Sequence, residues 1–140
     1  MAAKLILYPL LAMFLLTCLV AATLIRRRIA FYKSNRIHPQ KTATSAQMSA
    51  TMEDSRAADN FRNLFEVPVL FYVAVLAIFA GGFTCLPHLL FAWGFVAARY
   101  VHSYIHCTSN VVMRRFYAYL TSFLFLLGTW LMLAWQLLVA

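Results

Sequence analysis

The sequence has little charge and very few acidic side chains. Only 11% of its 140 residues are charged and only four are acidic, whereas 64% are apolar. Ordinary soluble domains are about half apolar and about a quarter charged. A soluble chain of this length has too small an interior to bury so much apolar surface. The composition therefore excludes a water-soluble globular domain and indicates an integral membrane protein.

Cysteine is scarce as well. Cys18, Cys85 and Cys107 show neither metal-ligand spacing nor the spacing of a disulfide framework. The sequence also lacks an internal repeat, a coiled-coil heptad pattern and a composition shift that would mark a second domain. We therefore expect no metal site and a single transmembrane domain over residues 1–140.

Four apolar runs are long enough to cross a bilayer, which takes about 20 helical residues. We predict helices over about 5–25, 55–83, 87–106 and 115–139, with a polar cytosolic loop over about 35–54. The predicted fold class is all-α, an integral membrane four-helix bundle. Thr51 or Ser55 is expected to cap the second helix. Pro68 cannot donate to the carbonyl of Leu64, so a kink or open backbone is expected there.

Basic residues are concentrated in two of the connections. Most of the Lys and Arg lie between the first and second runs, and Arg114 and Arg115 lie between the third and fourth. The turn at 81–87 has none. Under the positive-inside rule both basic connections face the cytosol, so both termini are non-cytosolic. The net charge of +8 is thus interpreted as a topology signal and not as a nucleic-acid site.

The second helix carries polar residues at steps of three or four. Arg56, Asp59, Asn63 and Glu66 share one face, and Arg62 lies one turn before Glu66. A carboxylate at a membrane boundary is costly unless it is paired. We expect Glu66 to pair with Arg62 or with an arginine of a neighbouring helix. The alternative is an ordinary salt bridge at the start of a helix.

The third and fourth helices carry matching polar stripes. Arg99, His102 and His106 fall on one face of the third, and Tyr119 continues the face of Arg115 on the fourth. Ionisable residues within a span are candidates for function. The alternative for Arg99 is a snorkelling side chain that extends to the headgroups. Together these residues suit a small anionic ligand, because arginine binds carboxylates bidentately and favours a thiolate.

Two motifs resemble a known family. The first is the run Asp59-Asn-Phe-Arg-Asn-Leu-Phe-Glu66, which is followed by Pro68, and the second is Arg99-x-x-His102. The family is that of the membrane-associated proteins in eicosanoid and glutathione metabolism, the MAPEG family. The run Ala98–Asn110 resembles its small bacterial members, and the chain as a whole resembles a small bacterial-type member similar to microsomal glutathione transferase. The resemblance implies a left-handed bundle that assembles as a homotrimer. It also implies sites between subunits and glutathione as co-substrate.

The resemblance also implies residue roles. Arg62, Asn63 and Glu66 match the glutathione-binding motif, and Arg99 and His102 match polar positions in the cleft. Arg115 matches the catalytic arginine that stabilises the glutathione thiolate, with Tyr119 near it and one of Arg26–Arg28 ending the first helix. His106, also assigned to the binding set, replaces a tyrosine of the eicosanoid-forming members, and Phe116 replaces a serine of one synthase. These departures argue against prostaglandin or leukotriene synthesis.

The favoured function is a glutathione-dependent transferase or peroxidase in a bacterial inner membrane. Its expected partners are glutathione, a lipophilic electrophile, membrane lipid and further copies of the chain, with no nucleic acid. One alternative is a non-catalytic lipid- or ligand-binding protein of the same fold. Another is a small proton-coupled exporter that uses Glu66. The last alternative is a haem protein that uses His88, His102 or His106.

Overall fold

The computed structural model describes residues 2–139. Over this range the chain is almost entirely helical and has no strand. Two short 3₁₀ helices cover Ala3–Ile6 and Pro39–Thr42. The α-helices are α1 (Leu7–Asn35), α2 (Ser45–Thr51), α3 (Arg56–Asn63), α4 (Val67–Ala80), α5 (Leu86–Cys107) and α6 (Val112–Val139).

Three helical segments of the described chain are long and apolar enough to cross a membrane. They are Ala3–Asn35, Arg56–Ala80 and Val112–Val139. The third predicted span, α5, is not among them, because Arg99 and three histidines lower its mean hydropathy. The chain is therefore an all-α protein with membrane-spanning helices, and the fourth span stays a prediction.

The predicted second helix is interrupted in the structure. α3 ends at Asn63 and α4 begins at Val67, so Pro68 lies in the first turn of α4. Glu66 takes a non-helical backbone conformation, with φ −100° and ψ −102°. Pro68 has no N–H to continue the hydrogen-bond ladder, and its ring disfavours helical geometry before it. The predicted break in the backbone near Pro68 is confirmed.

The predicted polar loop over about 35–54 is partly wrong. α1 continues to Asn35, ten residues beyond the predicted end at 25, and α2 forms within the polar stretch. α2 forms because Thr44 and Gln47 make a capping box, in which each side chain accepts from the other's backbone N–H. The predicted cap of the next helix is also absent. Ser55 stands at the N-cap of α3, but its hydroxyl donates to Asp59 instead.

α5 and α6 form the most extensive helix pair. Two glycines allow their close approach, since a Cβ on Gly94 would lie 2.5 Å from the Phe125 ring. A Cβ on Gly128 would lie 3.0 Å from the Phe91 ring. Each helix thus receives a phenylalanine of the other, as small residues permit in membrane bundles.

Two arginines connect α1 and α3 to the C-terminal end of α5. Arg27 donates to the carbonyl of Cys107, and Arg56 donates to the carbonyl of Thr108. Asp54 accepts from Arg56 at 2.7 Å and from Arg27 at 3.4 Å. The hydrogen bond from Arg56 holds the pKa of Asp54 below its usual value. Positive side chains at a helix C-terminus donate hydrogen bonds to its free carbonyls and interact favourably with the helix dipole. This cluster therefore fixes α5 against α3.

Candidate functional site

A cleft of about 450 Å³ lies between α3, the last turns of α5 and the first turns of α6. It contains every predicted site residue except Arg99, which lies beside it. The lining residues are Asp59, Arg62, Asn63, Glu66, His102, His106, Val112, Arg115, Phe116 and Tyr119.

Asn63 connects α3 to α5 at the wall of the cleft. Its Oδ1 accepts a hydrogen bond from Arg99 Nη2 at 2.5 Å, and its Nδ2 donates to Glu66 Oε2 at 3.0 Å. Arg99 Nη2 also donates to the backbone carbonyl of Asn63 at 3.2 Å. The two side-chain contacts, with Arg99 and with Glu66, determine which way the amide of Asn63 points, because only its oxygen accepts and only its nitrogen donates.

The predicted ion pair of Glu66 is wrong. Within residues 2–139, both ion pairs involve Asp54, and no arginine nitrogen lies within 4.0 Å of the Glu66 carboxylate. A pair between Arg62 and Glu66 would need an unbroken helix to place the residues on one face. The interruption after Asn63 removes that register, so both side chains remain exposed at the cleft.

Arg99 is fully buried, which excludes the snorkelling alternative. Its side chain points toward α3, and its guanidinium carbon lies 5.7 Å from the centre of the Tyr119 ring. Its Nε and Nη1 make no hydrogen bond to any described residue. A buried cation with so few partners is costly, and this makes Arg99 a candidate for binding an anionic or polar group.

The two histidines are both buried and both contact Arg115. His102 Nδ1 lies 3.1 Å from the backbone carbonyl of Arg115, whereas His106 Nε2 lies 2.8 Å from Arg115 Nη1. The two rings meet edge to face, with centroids 5.5 Å apart. The helical stripe predicted on α5 is therefore a single cluster that faces the start of α6.

Asn110 is a site residue that the sequence interpretation missed. It lies in the short turn between α5 and α6 at a positive φ of 51°, and its Oδ1 accepts from Arg115 Nη1 at 2.8 Å. Asparagine tolerates this left-handed backbone better than most residues. An asparagine in a very short turn next to the basic pair was the available signal.

The remaining polar residues lie outside the cleft or contribute little to it. His88 is buried where α5 begins, with its Nδ1 2.9 Å from the carbonyl of Phe83. The hydroxyls of Ser122 and Thr129 donate to carbonyls of their own helix. Among the arginines that end the apolar part of α1, Arg28 lines a smaller cavity that shares Asp59 and Arg62 with the cleft.

One family model matches the chain. The family model described as MAPEG family matches residues 5–135, nearly the whole chain. The chain belongs to the MAPEG family. This confirms the resemblance inferred from the α3 and α5 motifs, and MAPEG membership supports a membrane function related to glutathione at the level of the family. No curated protein and no solved structure matched the chain.

Proposed function

We propose that this protein is a membrane-embedded, glutathione-dependent transferase or peroxidase that acts on lipophilic electrophiles. The observation that carries the proposal is the cleft, which joins Arg62, Asn63 and Glu66 to Arg115 and Tyr119 from another helix. Glutathione carries two carboxylates, an ammonium and a thiol. Arginines bind carboxylates through paired hydrogen bonds, and Glu66 is suited to the ammonium.

Arg115 is the residue to which we assign thiolate stabilisation. Its Nη1 donates both to His106 and to Asn110, which holds the guanidinium plane in position. The other two guanidinium nitrogens, Nε and Nη2, make no hydrogen bond to the described residues and are available to a ligand. A guanidinium beside a thiol favours the deprotonated, nucleophilic form. The thiol proton passes to water, and the thiolate forms a carbon–sulfur bond with the electrophile while the leaving group departs with its bonding electron pair. With a hydroperoxide the thiolate instead attacks oxygen and releases the alcohol, and a second glutathione converts the resulting sulfenic acid to the disulfide and water.

The apolar rim of the cleft supports a substrate that arrives from the lipid. Val112 and Phe116 line the cleft and are both more than half exposed. Catalysis on this proposal rests on positioning the thiolate beside a hydrophobic electrophile, with no further covalent step on the protein.

We further propose four transmembrane helices, with α5 as the third, in a homotrimer. Large apolar side chains are exposed along α1, α4 and α6 and need cover from lipid or from other subunits. The positive-inside rule applied to the basic connections favours both termini outside the cytosol, and the bacterial inner membrane is the proposed location. Cysteine accessibility from either side of the membrane tests the topology, and native mass spectrometry in detergent tests the trimer.

A non-catalytic member of the fold is the second candidate. The observation that favours it is Phe116, because this residue brings a hydrophobic ring to the cleft directly after Arg115 and offers no hydroxyl for chemistry. That candidate predicts binding of glutathione or lipid without turnover of electrophiles or hydroperoxides.

Glutathione binding by calorimetry on the detergent-purified protein tests the proposal. Arg62→Ala is expected to weaken binding at least about tenfold, because a hydrogen bond to a charged group is lost. Arg114→Ala is the matched control, since Arg114 is exposed and does not line the cleft. The absence of binding by the unaltered protein, or equal losses in both variants, would refute the glutathione site.

A further inference from the structure

The cleft contains buried nitrogen atoms that lack partners. His102 Nε2 and His106 Nδ1 each have almost no exposed surface and make no hydrogen bond within residues 2–139. Leaving a buried polar atom unpaired costs about 1–3 kcal/mol, so such atoms normally receive partners from a ligand or from water. Both rings line the same cleft.

The partner of each bonded nitrogen determines where the ring proton lies. A carbonyl oxygen only accepts, so His102 must carry its proton on Nδ1, which faces the carbonyl of Arg115. Arginine only donates, so His106 Nε2 must be unprotonated where it meets Arg115 Nη1. A neutral His106 then carries its proton on Nδ1.

The surrounding charges favour neutral rings at both positions. The groups around them are Arg99 on α5, Arg115 and Tyr119 on α6, and Asp59, Arg62 and Glu66 across the cleft on α3 and just after it. Neither ring lies within 4.0 Å of a described carboxylate. A protonated His102 would therefore add a further buried positive charge without a counter-ion, which is costly.

We infer that His102 and His106 share the Nδ1–H tautomer and present opposite hydrogen-bonding groups to a ligand. His102 is bonded through Nδ1 and presents the lone pair of Nε2, whereas His106 is bonded through Nε2 and presents the N–H of Nδ1. The two residues therefore determine specificity. A donor such as an amide N–H fits His102, and an acceptor such as a carboxylate or an amide carbonyl fits His106.

The identity of the ligand in this inference rests on the proposed function, whereas the tautomers belong to the ligand-free protein. A carboxylate carries only acceptors. It suits His106 together with Arg115, and it is repelled by the lone pair of His102. Glutathione meets both requirements because its amide N–H groups donate while its carboxylates and carbonyls accept.

Nitrogen NMR of the ligand-free protein tests the tautomers directly. Protein labelled with ¹⁵N at its four histidines is reconstituted in lipid and measured at neutral pH. His102 and His106 are expected to show a protonated Nδ1 and an unprotonated Nε2. His38 is the internal contrast, because its Nδ1 accepts from the backbone N–H of Gln40 and so predicts the other tautomer. A proton on Nε2 of His102 or His106 would overturn the inference.

Two substitutions separate the ligand-facing atom of each histidine from its structural contact. His102→Asn keeps a donor near the position of Nδ1 and removes Nε2, and His106→Gln keeps an acceptor near the position of Nε2 and removes the Nδ1 donor. Each variant also assigns one NMR signal. Each is expected to weaken glutathione binding about tenfold, whereas the exposed-site variant His38→Gln is expected to bind normally.

Glutathione itself is the probe for the ligand contacts. Its addition is expected to shift the signals of His102 Nε2 and His106 Nδ1. Binding that leaves both signals unmoved, with unchanged affinity in the two variants, would overturn the assigned specificity. If the unaltered protein does not bind glutathione, the proposed function fails, and the ligand-free spectra still decide the tautomers.

Discussion

The hydrogen bond between Asn63 and Arg99 predicts that removing Asn63 destabilises the protein more than removing Arg99 does. Asn63→Ala removes Oδ1, which is the only side-chain acceptor that the described residues give to the buried guanidinium. Loss of a hydrogen bond to a charged group costs about 1.5–3 kcal/mol. We therefore expect the free energy of unfolding to fall by about 2 kcal/mol, with Asn35→Ala at the exposed end of α1 as the control.

Arg99→Met is expected to be the milder change. It removes the buried charge together with its need for partners, and methionine fills much of the same space. Replacing buried charges with apolar groups of similar volume is often neutral or stabilising. The freed amide of Asn63 is only partly buried, so water can satisfy it. The double variant is expected to resemble Arg99→Met alone, which gives a coupling energy of about 2 kcal/mol.

The assay is unfolding of the ligand-free protein in mixed micelles, followed by circular dichroism and tryptophan fluorescence. The unaltered protein, the two single variants and the double variant are all measured in the same detergent without glutathione. The reasoning is refuted if Arg99→Met loses more stability than Asn63→Ala. Additive effects of the two substitutions would also refute it, because the contact would then carry no energy.

Three further predictions follow from particular contacts. Gly94→Ala is expected to lower thermal stability more than Gly128→Ala, since its new Cβ approaches a phenylalanine ring at 2.5 Å instead of 3.0 Å; equal losses would contradict this packing. Arg115→Ala is expected to abolish the ultraviolet absorbance of enzyme-bound glutathione thiolate at neutral pH, and an unchanged absorbance would remove Arg115 from that role. The pKa of Asp54 is lowered from 3.8 in the folded protein by its hydrogen bond with Arg56, so its contribution to stability is present above that pH and is lost as the pH falls through the folded value. Asp54→Asn should remove this acid-dependent part of the unfolding free energy, and an unchanged pH profile would exclude it.

Much of the candidate site could be predicted because helical geometry is regular. Residues three or four apart lie on one face whatever the rest of the protein does, so Arg99, His102 and His106 were placed together correctly. The break near Pro68 was also predictable, since proline lacks an N–H under any tertiary arrangement. The family followed from the α3 and α5 motifs and was confirmed by the match over residues 5–135.

Other features depended on how the backbone leaves the helix between residues that are close in the chain. Glu66 bonds to Asn63 and not to an arginine, because the backbone turns out of the helix between them. Asn110 reaches Arg115 only because the α5–α6 turn is left-handed at that point. Neither hydrogen bond can be predicted from the periodicity of the sequence.

The amino-acid sequence by itself determined the membrane class, the faces of the helices and the family, because these depend on composition and on the fixed repeat of the α-helix. The tertiary structure alone decided that Arg99 is buried and that Asn63 is its partner. It also decided which ring nitrogen of His102 and of His106 lacks a hydrogen-bond partner among the described residues. Those outcomes depend on the distance and angle between helices, and hydrogen bonds are sensitive to both.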